Sequence, residues 1–289
     1  MNYEGNIIRP PSEADSIIIQ VTVGCSHNKC TFCGTYRGEL FRLKDTLIIE
    51  EDLRFAARHC RRQKRVFLAD GDVLSLPQQK LVEIFKHVRE RLPWINRISL
   101  YANARNALRK SATELRELKE LGLARVYMGL ESGHDPTLAA MNKGVNAESL
   151  VKAGRLIKEA GLFLSVTALL GIAGRENSEA HARETGRVIS AMAPNQVGVL
   201  TLILLPGTPL FDHAETGDFL LPDRNGLLKE LYLIVENIEL DRVQFQANHA
   251  SNYLPVNCRL PRDRRNVLTA IGQALNGEIP LKPEHLRAL

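Results

Sequence analysis

GCSHNKCTFCGTYRG, residues 24–38, is the stretch on which the reading of this sequence turns. It places Cys25, Cys30 and Cys33 within nine positions, directly after the apolar run Ile17-Ile18-Ile19-Gln20-Val21-Thr22-Val23. Three of the five cysteines therefore lie in one loop at the end of one expected strand. Thiolates this close in sequence reach a single soft metal centre, and three of them leave one iron of a cubane cluster without its fourth cysteine. An open coordination position is where a substrate or cofactor binds, so the loop reads as a reaction centre. A zinc site of Cys25, Cys30, Cys33 and His27 is the rival. Structural zinc sites usually draw ligands as two separated pairs, and the sequence offers no second pair, which puts iron–sulfur ahead of zinc.

Outward from the loop, apolar runs begin near residues 17, 65, 97, 125, 163 and 197, each followed by a stretch with helical spacing. Intervals of about one βα unit, roughly 30 residues, predict an α/β fold: a partial (β/α)6 TIM-like barrel, with a flat doubly wound sheet as the alternative. Residues 1–15 read as a lead-in, 16–210 as the core domain, and 211–289 as a C-terminal α/β extension covering the barrel. Both architectures put reactive loops at the carboxyl ends of strands, where Asp70-Gly71-Asp72, Tyr101 to Arg105, Glu131-Ser132-Gly133 and Gly171 to Glu176 fall. Cys60 shares the apolar face of the helix expected over 46–62 and is expected in the core. Tyr101, Asn103 and His249 are the candidates for contact with a substrate, His249 because Asn248, Ser251 and Asn252 crowd polar groups around it.

With 289 residues, 44% of them hydrophobic, the chain can bury a sizeable core. No apolar run approaches ~20 residues and no signal-peptide pattern opens the chain, so the expectation is a cytoplasmic protein without a membrane segment. A reducing compartment suits an iron–sulfur site and disfavours disulfides. The net charge is +5, with basic clusters at 58–65 and 259–265. Neither is interleaved with aromatic residues for base stacking, so a small-molecule or peptide substrate is expected ahead of nucleic acid.

The motifs, in this order, resemble the radical S-adenosylmethionine (SAM) superfamily, in the branch of the methylthiotransferases and cobalamin-dependent members. The signature there is C-x3-C-x2-C with an aromatic before the last cysteine, and Phe32 holds that place. Ser26-His27-Asn28-Lys29 departs from it by putting four residues between the first two cysteines. The resemblance covers about residues 16–210. It implies a [4Fe–4S] cluster on Cys25, Cys30 and Cys33 and SAM chelating the open iron. One-electron cleavage then gives a 5′-deoxyadenosyl radical that abstracts hydrogen from an unidentified substrate. It further implies that Asp70, Gly71 and Asp72 receive the SAM amino group, that Glu131 and Ser132 face the ribose, and that Lys143 approaches the carboxylate. Gly171 and Gly174 would let backbone approach the adenine, a use that fits residues without a Cβ. His27 and Asn28 are expected to adjust the cluster through hydrogen bonds, and a flavodoxin or ferredoxin to supply the electron. An iron–sulfur or zinc-binding protein without radical chemistry is the competing class.

Overall fold

The β-branched and aliphatic runs form the strands, and the stretches between them coil into helices. The structure, a computed structural model, describes residues 1–288. In chain order the first elements are β1 (Ile17–Gln20), β2 (Thr22–Val23), β3 (Arg42–Leu43), α1 (Thr46–His59), β4 (Arg65–Ala69), α2 (Gln78–Arg91), β5 (Arg97–Tyr101), α3 (Ala104–Ala107) and α4 (Ala112–Glu120). Next are β6 (Leu123–Glu131), α5 (Asp135–Ala140), α6 (Ala147–Glu159), β7 (Phe163–Leu170), α7 (Ser178–Met192) and β8 (Gln196–Thr201). The chain closes with α8 (Pro209–Glu215), α9 (Arg224–Glu236), β9 (Val243–Ala247), β10 (Val256–Leu260) and α10 (Arg264–Leu275). Two compact units divide these elements: residues 1–28, 35–128 and 156–164 form one, and 29–34, 129–155 and 165–288 the other.

In the first unit β1, β4, β5 and β6 pair in parallel, with Ile17 opposite Val66, Val66 opposite Ile98 and Leu100 opposite Val126. Near-continuous apolar runs belong to parallel strands covered on both faces, and Ile19, Val66, Phe67, Leu68, Ile98 and Leu100 are all fully buried. Each such side chain contributes roughly 2–3 kcal/mol of transfer free energy. Helix α4 opens on a reciprocal capping box in which Ser111 Oγ accepts from Glu114 N and the Glu114 carboxylate accepts from Ser111 N.

Two details differ from the sequence reading. The run 17–23 is not one strand: Val21 N donates to Ala69 O at 2.6 Å, and Lys44 N donates to Val21 O at 2.9 Å. The chain then leaves the parallel sheet, and Thr22-Val23 pairs antiparallel with Leu43-Arg42, which closes the base of the cysteine loop. Cys60 is half-buried at the C-terminal end of α1, and the buried stripe of that helix is Ile49, Asp52, Leu53 and Ala56. Its expected place in the core is corrected because the helix ends one residue before it.

In the second unit β7, β8 and β9 are parallel, with Val166 opposite Val197 and Val197 opposite Phe245. Strand β10 returns antiparallel, Cys258 opposite Phe245. The segment after 210 thus adds a parallel strand to β8 and an antiparallel edge beyond it. Helices α7 and α9 pack closely at Gly186, where an added Cβ would lie 2.7 Å from Asn237 Cβ and 2.9 Å from Ile234 O. Among the described residues no helix is long and apolar enough to cross a membrane.

Candidate active site

In the first unit the polar loops after β2, β4 and β5 converge. Asp72 is fully buried. Its Oδ1 accepts from Asn103 N at 3.1 Å, and its Oδ2 accepts from Asn103 Nδ2 at 2.7 Å, from Asn106 Nδ2 at 2.6 Å and from Ser26 Oγ. A carboxylate holding four donors is a brace, and this one ties the residue after Cys25 to the ends of β4 and β5. Asn103 also caps α3, its Oδ1 accepting from Asn106 N at 2.9 Å, so both ends of its amide are engaged within the fold.

Asp70 is buried as well, accepting from the Tyr36 hydroxyl and from Gln20 Nε2 at 3.3 Å. Burial pushes its carboxyl up to about 6, against the pull of those two hydrogen bonds. The Tyr36 phenol is raised by burial and by the neighbouring Asp70. Between the two aspartates Gly71 lies against the cysteine loop: a Cβ there would sit 2.7 Å from the Tyr36 ring and 3.1 Å from Cys25 Cβ. Tyr101 joins an aromatic group, its ring 5.1 Å from that of Phe67 and 6.0 Å from that of Tyr127. Asn28, expected to adjust the cluster through hydrogen bonds, staples the cysteine loop, donating to Tyr36 O at 2.8 Å and Glu39 O at 3.2 Å.

The rest of the cysteine loop belongs to the second unit, where its backbone is anchored on two sides. Thr31 N donates to Met141 O at 3.1 Å, Leu210 N donates to Thr31 O at 3.1 Å, and Asn142 Nδ2 donates to Lys29 O at 3.1 Å. Cys30 and Cys33 are thereby fastened to the segment bearing Lys143 and to the Pro206-Gly207-Thr208-Pro209 turn. Phe32 packs on an apolar cluster of Met141, Ile172, Leu202 and Leu210.

Lys143 Nζ donates to Glu131 Oε1 at 2.9 Å. Gly129 makes room for this pair, since a Cβ there would collide with the Glu131 carboxylate and lie 3.0 Å from Lys143 Nζ. Ser132, expected at a ribose, is fully buried, with its hydroxyl 2.7 Å from His181 Nδ1 and accepting from His134 N at 3.0 Å. Gly171 has φ +83° and Gly174 φ +68°, the left-handed region that favours glycine. Gly171 N donates to Glu230 Oε2 at 2.6 Å. A cavity of about 260 Å³ opens beside this turn, bordered by Thr137, Met141, Ile172, Gly174 and Arg175.

His249 is half-buried, its Nδ1 2.9 Å from Ser251 Oγ, while Ser251 Oγ also accepts from Thr201 N at 3.0 Å. Asn252 Nδ2 donates to Val199 O at 2.7 Å. The polar crowd around His249 therefore fastens the turn after β9 to the carboxyl end of β8. Sequence reading missed Ser26, Tyr36, Asn106, His181 and Glu230, because their partners are distant in the chain and no local spacing announces them.

The fit of a cluster and of SAM is tested by donor chemistry and by space. No disulfide joins any of the five cysteines, and Cys25, Cys30 and Cys33 are each half-buried, as ligands of an accessible cluster must be. No group of three or more His, Cys, Asp or Glu side chains is gathered as a ready-formed metal site among the described residues, so the ligand assignment rests on the donor set. Three soft thiolates in one loop suit an iron–sulfur cluster, and Gly71 keeps the backbone close beside Cys25.

Comparison with known proteins agrees. The model of the radical SAM superfamily matches residues 19–186. The chain is 22% identical over 209 residues to the 4′-phospho-dehydrooxetanocin synthase of Priestia megaterium, covering 64% of this chain and 28% of that protein. It is 23% identical over 250 residues to an uncharacterized protein of Methanocaldococcus jannaschii, covering 78% of this chain and 76% of the other. Among solved structures methylornithine synthase superposes with a TM-score of 0.53 at 17% identity, over 77% of this chain and 63% of that one. The chain thus spans little more than a quarter of the synthase from P. megaterium and under two thirds of methylornithine synthase. The structural likeness shows the fold: a mostly parallel α/β sheet of the partial TIM-barrel kind.

Proposed function

The chain belongs to the radical SAM superfamily, and on that premise we propose that it is an enzyme in which Cys25, Cys30 and Cys33 hold a [4Fe–4S] cluster beside a SAM site. Members of the superfamily use the cluster to deliver one electron to SAM, splitting it into methionine and a 5′-deoxyadenosyl radical that takes a hydrogen atom from substrate. The residues of this chain bind, orient and shield.

The SAM amino group is received at residues 70–72. Gly71 lets the backbone there lie against Cys25, so a carbonyl of the segment is the acceptor. The Asp72 and Asp70 side chains, already holding internal donors, fix the segment in place. Lys143, paired with Glu131 at 2.9 Å, would hold the SAM carboxylate, and Glu131 would face the ribose. The adenine would lie beside the turn Gly171–Gly174 and the apolar cluster of Phe32 and Ile172, the Cβ positions of the two glycines being taken up by Leu221, Leu227 and Phe219. Ser132 acts through the position of its backbone. Tyr101 and His249 remain the candidates for contact with a substrate, and Asn103 serves the Asp72 brace.

A small molecule or a peptide is the proposed substrate, a flavodoxin or ferredoxin the proposed electron donor, and the cytoplasm, where thiolates stay reduced, the proposed location. One observation carries the reading: half-buried thiols stand in a loop whose backbone is fastened to the segment bearing Lys143. The experiment is anaerobic reconstitution followed by SAM and dithionite, with 5′-deoxyadenosine as the readout and Cys30→Ala as control. Formation by the parent protein alone supports the reading. Zinc in place of iron and sulfide in the purified protein would overturn it.

A further inference from the structure

Behind the two segments assigned to the nucleoside half of SAM lies a polar group that the proposed chemistry does not use. His181 on α7 and Glu230 on α9 are both fully buried. His181 Nδ1 is 2.7 Å from Ser132 Oγ and 3.3 Å from Thr185 Oγ1, and Thr185 Oγ1 accepts from Gly133 N at 2.9 Å. On its other side Nε2 lies 3.9 Å from Glu230 Oε2, beyond hydrogen-bond reach. Glu230, in contact with the imidazole but not bonded to it, serves the other turn, accepting from Gly171 N and from Ser178 Oγ, each at 2.6 Å.

Two glycines press the same segments onto the same helices. A Cβ on Gly133 would collide with the Glu184 carbonyl of α7, and one on Gly171 would lie 2.9 Å from Leu227 of α9. Both turns therefore rest on helices that themselves touch at Gly186. Apolar side chains of equal volume would fill the space behind the turns equally well. Two buried polar side chains packed against each other, each bonded to one turn, favour one geometry of the turns more narrowly than apolar packing would.

We infer that His181 and Glu230 are positioning residues: a buried tie that fixes the spacing between Ser132–His134 and Gly171–Arg175, and through it the grip on the nucleoside of SAM. The inference rests on the SAM site proposed above. Removing the imidazole frees the Ser132 hydroxyl and the Thr185 side chain on one side and the face of Glu230 on the other, so both turns loosen together.

The test has two readouts. Hydrogen exchange on the protein without SAM compares the parent with His181→Phe, His181→Asn and Glu230→Gln. With His181→Phe, exchange at both segments should rise at least tenfold while β4 and β5 stay as protected as in the parent. His181→Asn, which keeps an amide near Nδ1, should keep 132–134 protected and loosen 171–175. Faster exchange in one segment only for His181→Phe, or spread over the whole chain, overturns the tie.

The second readout is calorimetric SAM binding to the reconstituted enzyme. His181→Phe should bind about tenfold more weakly with unchanged iron content and an unchanged 5′-deoxyadenosine rate at saturating SAM. Unchanged affinity overturns the inference. A parent protein that binds no SAM sinks the proposed function, while the exchange comparison still decides the tie. Should His181→Phe not fold, Glu230→Gln takes its place, with loosening expected in both segments and loosening of 171–175 alone counting against the tie.

Discussion

Glu131 and Lys143 meet in a 2.9 Å ion pair although Glu131 holds a left-handed backbone, φ +62°, at the end of its strand. A non-glycine residue in that region carries roughly 1 kcal/mol of strain, so the surrounding structure must over-determine it. The pair is mostly shielded, 12–13% exposed on each side, and Gly129 leaves it the space. Gly129→Ala should push the carboxylate and the ammonium apart. SAM affinity is expected to fall about tenfold in Lys143→Met, the size of one charge-assisted hydrogen bond, and similarly in Gly129→Ala, whose methyl group would displace Lys143 Nζ from the place where it meets the SAM carboxylate. Titration of SAM into the reconstituted variants measures this, with urea unfolding to show that neither has lost its fold.

The brace at Asp72 gives a second expectation. Asp72→Ala leaves the Ser26 hydroxyl and the Asn103 and Asn106 amides without their shared acceptor in a buried place. Asn103 and Asn106 keep Ser26 Oγ as an acceptor, so the loss is partial and is expected to destabilise the cluster-free protein by about 2 kcal/mol. Asp72→Asn, which keeps one acceptor oxygen, should fall between variant and parent. Midpoints in urea at unchanged slope test the order, and iron content after reconstitution should follow it, because Ser26 adjoins Cys25.

Among the cysteines the expectation divides cleanly. Cys25→Ala, Cys30→Ala and Cys33→Ala should each lose most iron and sulfide on reconstitution, since a site with two thiolates holds a cubane poorly. Cys60→Ala and Cys258→Ala should retain both. Cys60 is half-buried at the end of α1, and Cys258 faces Phe245 across the edge pair with its thiol pushed up to about 11 by burial, a pKa unsuited to a ligand. Iron and sulfide analysis of the five variants decides. Retention by Cys30→Ala or loss in Cys60→Ala would move the cluster.

What the sequence disclosed follows from the range of the interactions involved. Six of the parallel strands were legible because near-continuous apolar runs such as Val66–Ala69 and Phe163–Leu170 recur one βα unit apart. The capping box at Ser111 and Glu114 is local, and its Ser-x-x-Glu spacing is legible without the fold. The return of β10 along β9 was not legible, because its alternating Val256, Cys258 and Leu260 are too short a pattern to stand out. At the site, cysteine spacing announced the loop, yet the direction of Ser132 was hidden. Its partner His181 lies on the face of α7 that carries Ala182, Thr185, Val188 and Ile189, where a lone histidine looks like a core residue. Asn103 and Asp72 were recognised as polar strand ends, but only the fold shows that they satisfy each other.

The buried pair His181 and Glu230 makes a prediction in which two effects of opposite sign offset. Burial lowers His181 from 6.5 to about 4, with the nearby His134 adding to the shift, and raises Glu230 from 4.5 to about 7. Between pH 4 and 6.5 the unfolded histidine binds a proton that the folded one does not, so its contribution to stability grows with pH and is lost as pH falls. Between pH 4.5 and 7 the folded glutamate keeps a proton that the unfolded one has released, so its contribution declines as pH rises. Each shift corresponds to something on the order of 3 kcal/mol, and over pH 4.5–6.5 the two slopes largely cancel in the parent. His181→Phe should expose the glutamate alone, so that stability relative to the parent falls as pH rises from 4.5 to 6.5. Glu230→Gln should expose the histidine, so that relative stability rises over the same interval. His134 is present in all three proteins and drops out of the comparison. Urea unfolding of the cluster-free proteins at pH 4.5, 5.5 and 6.5 provides the measurement. Slopes of the same sign in the two variants would show that the pair does not titrate in this way.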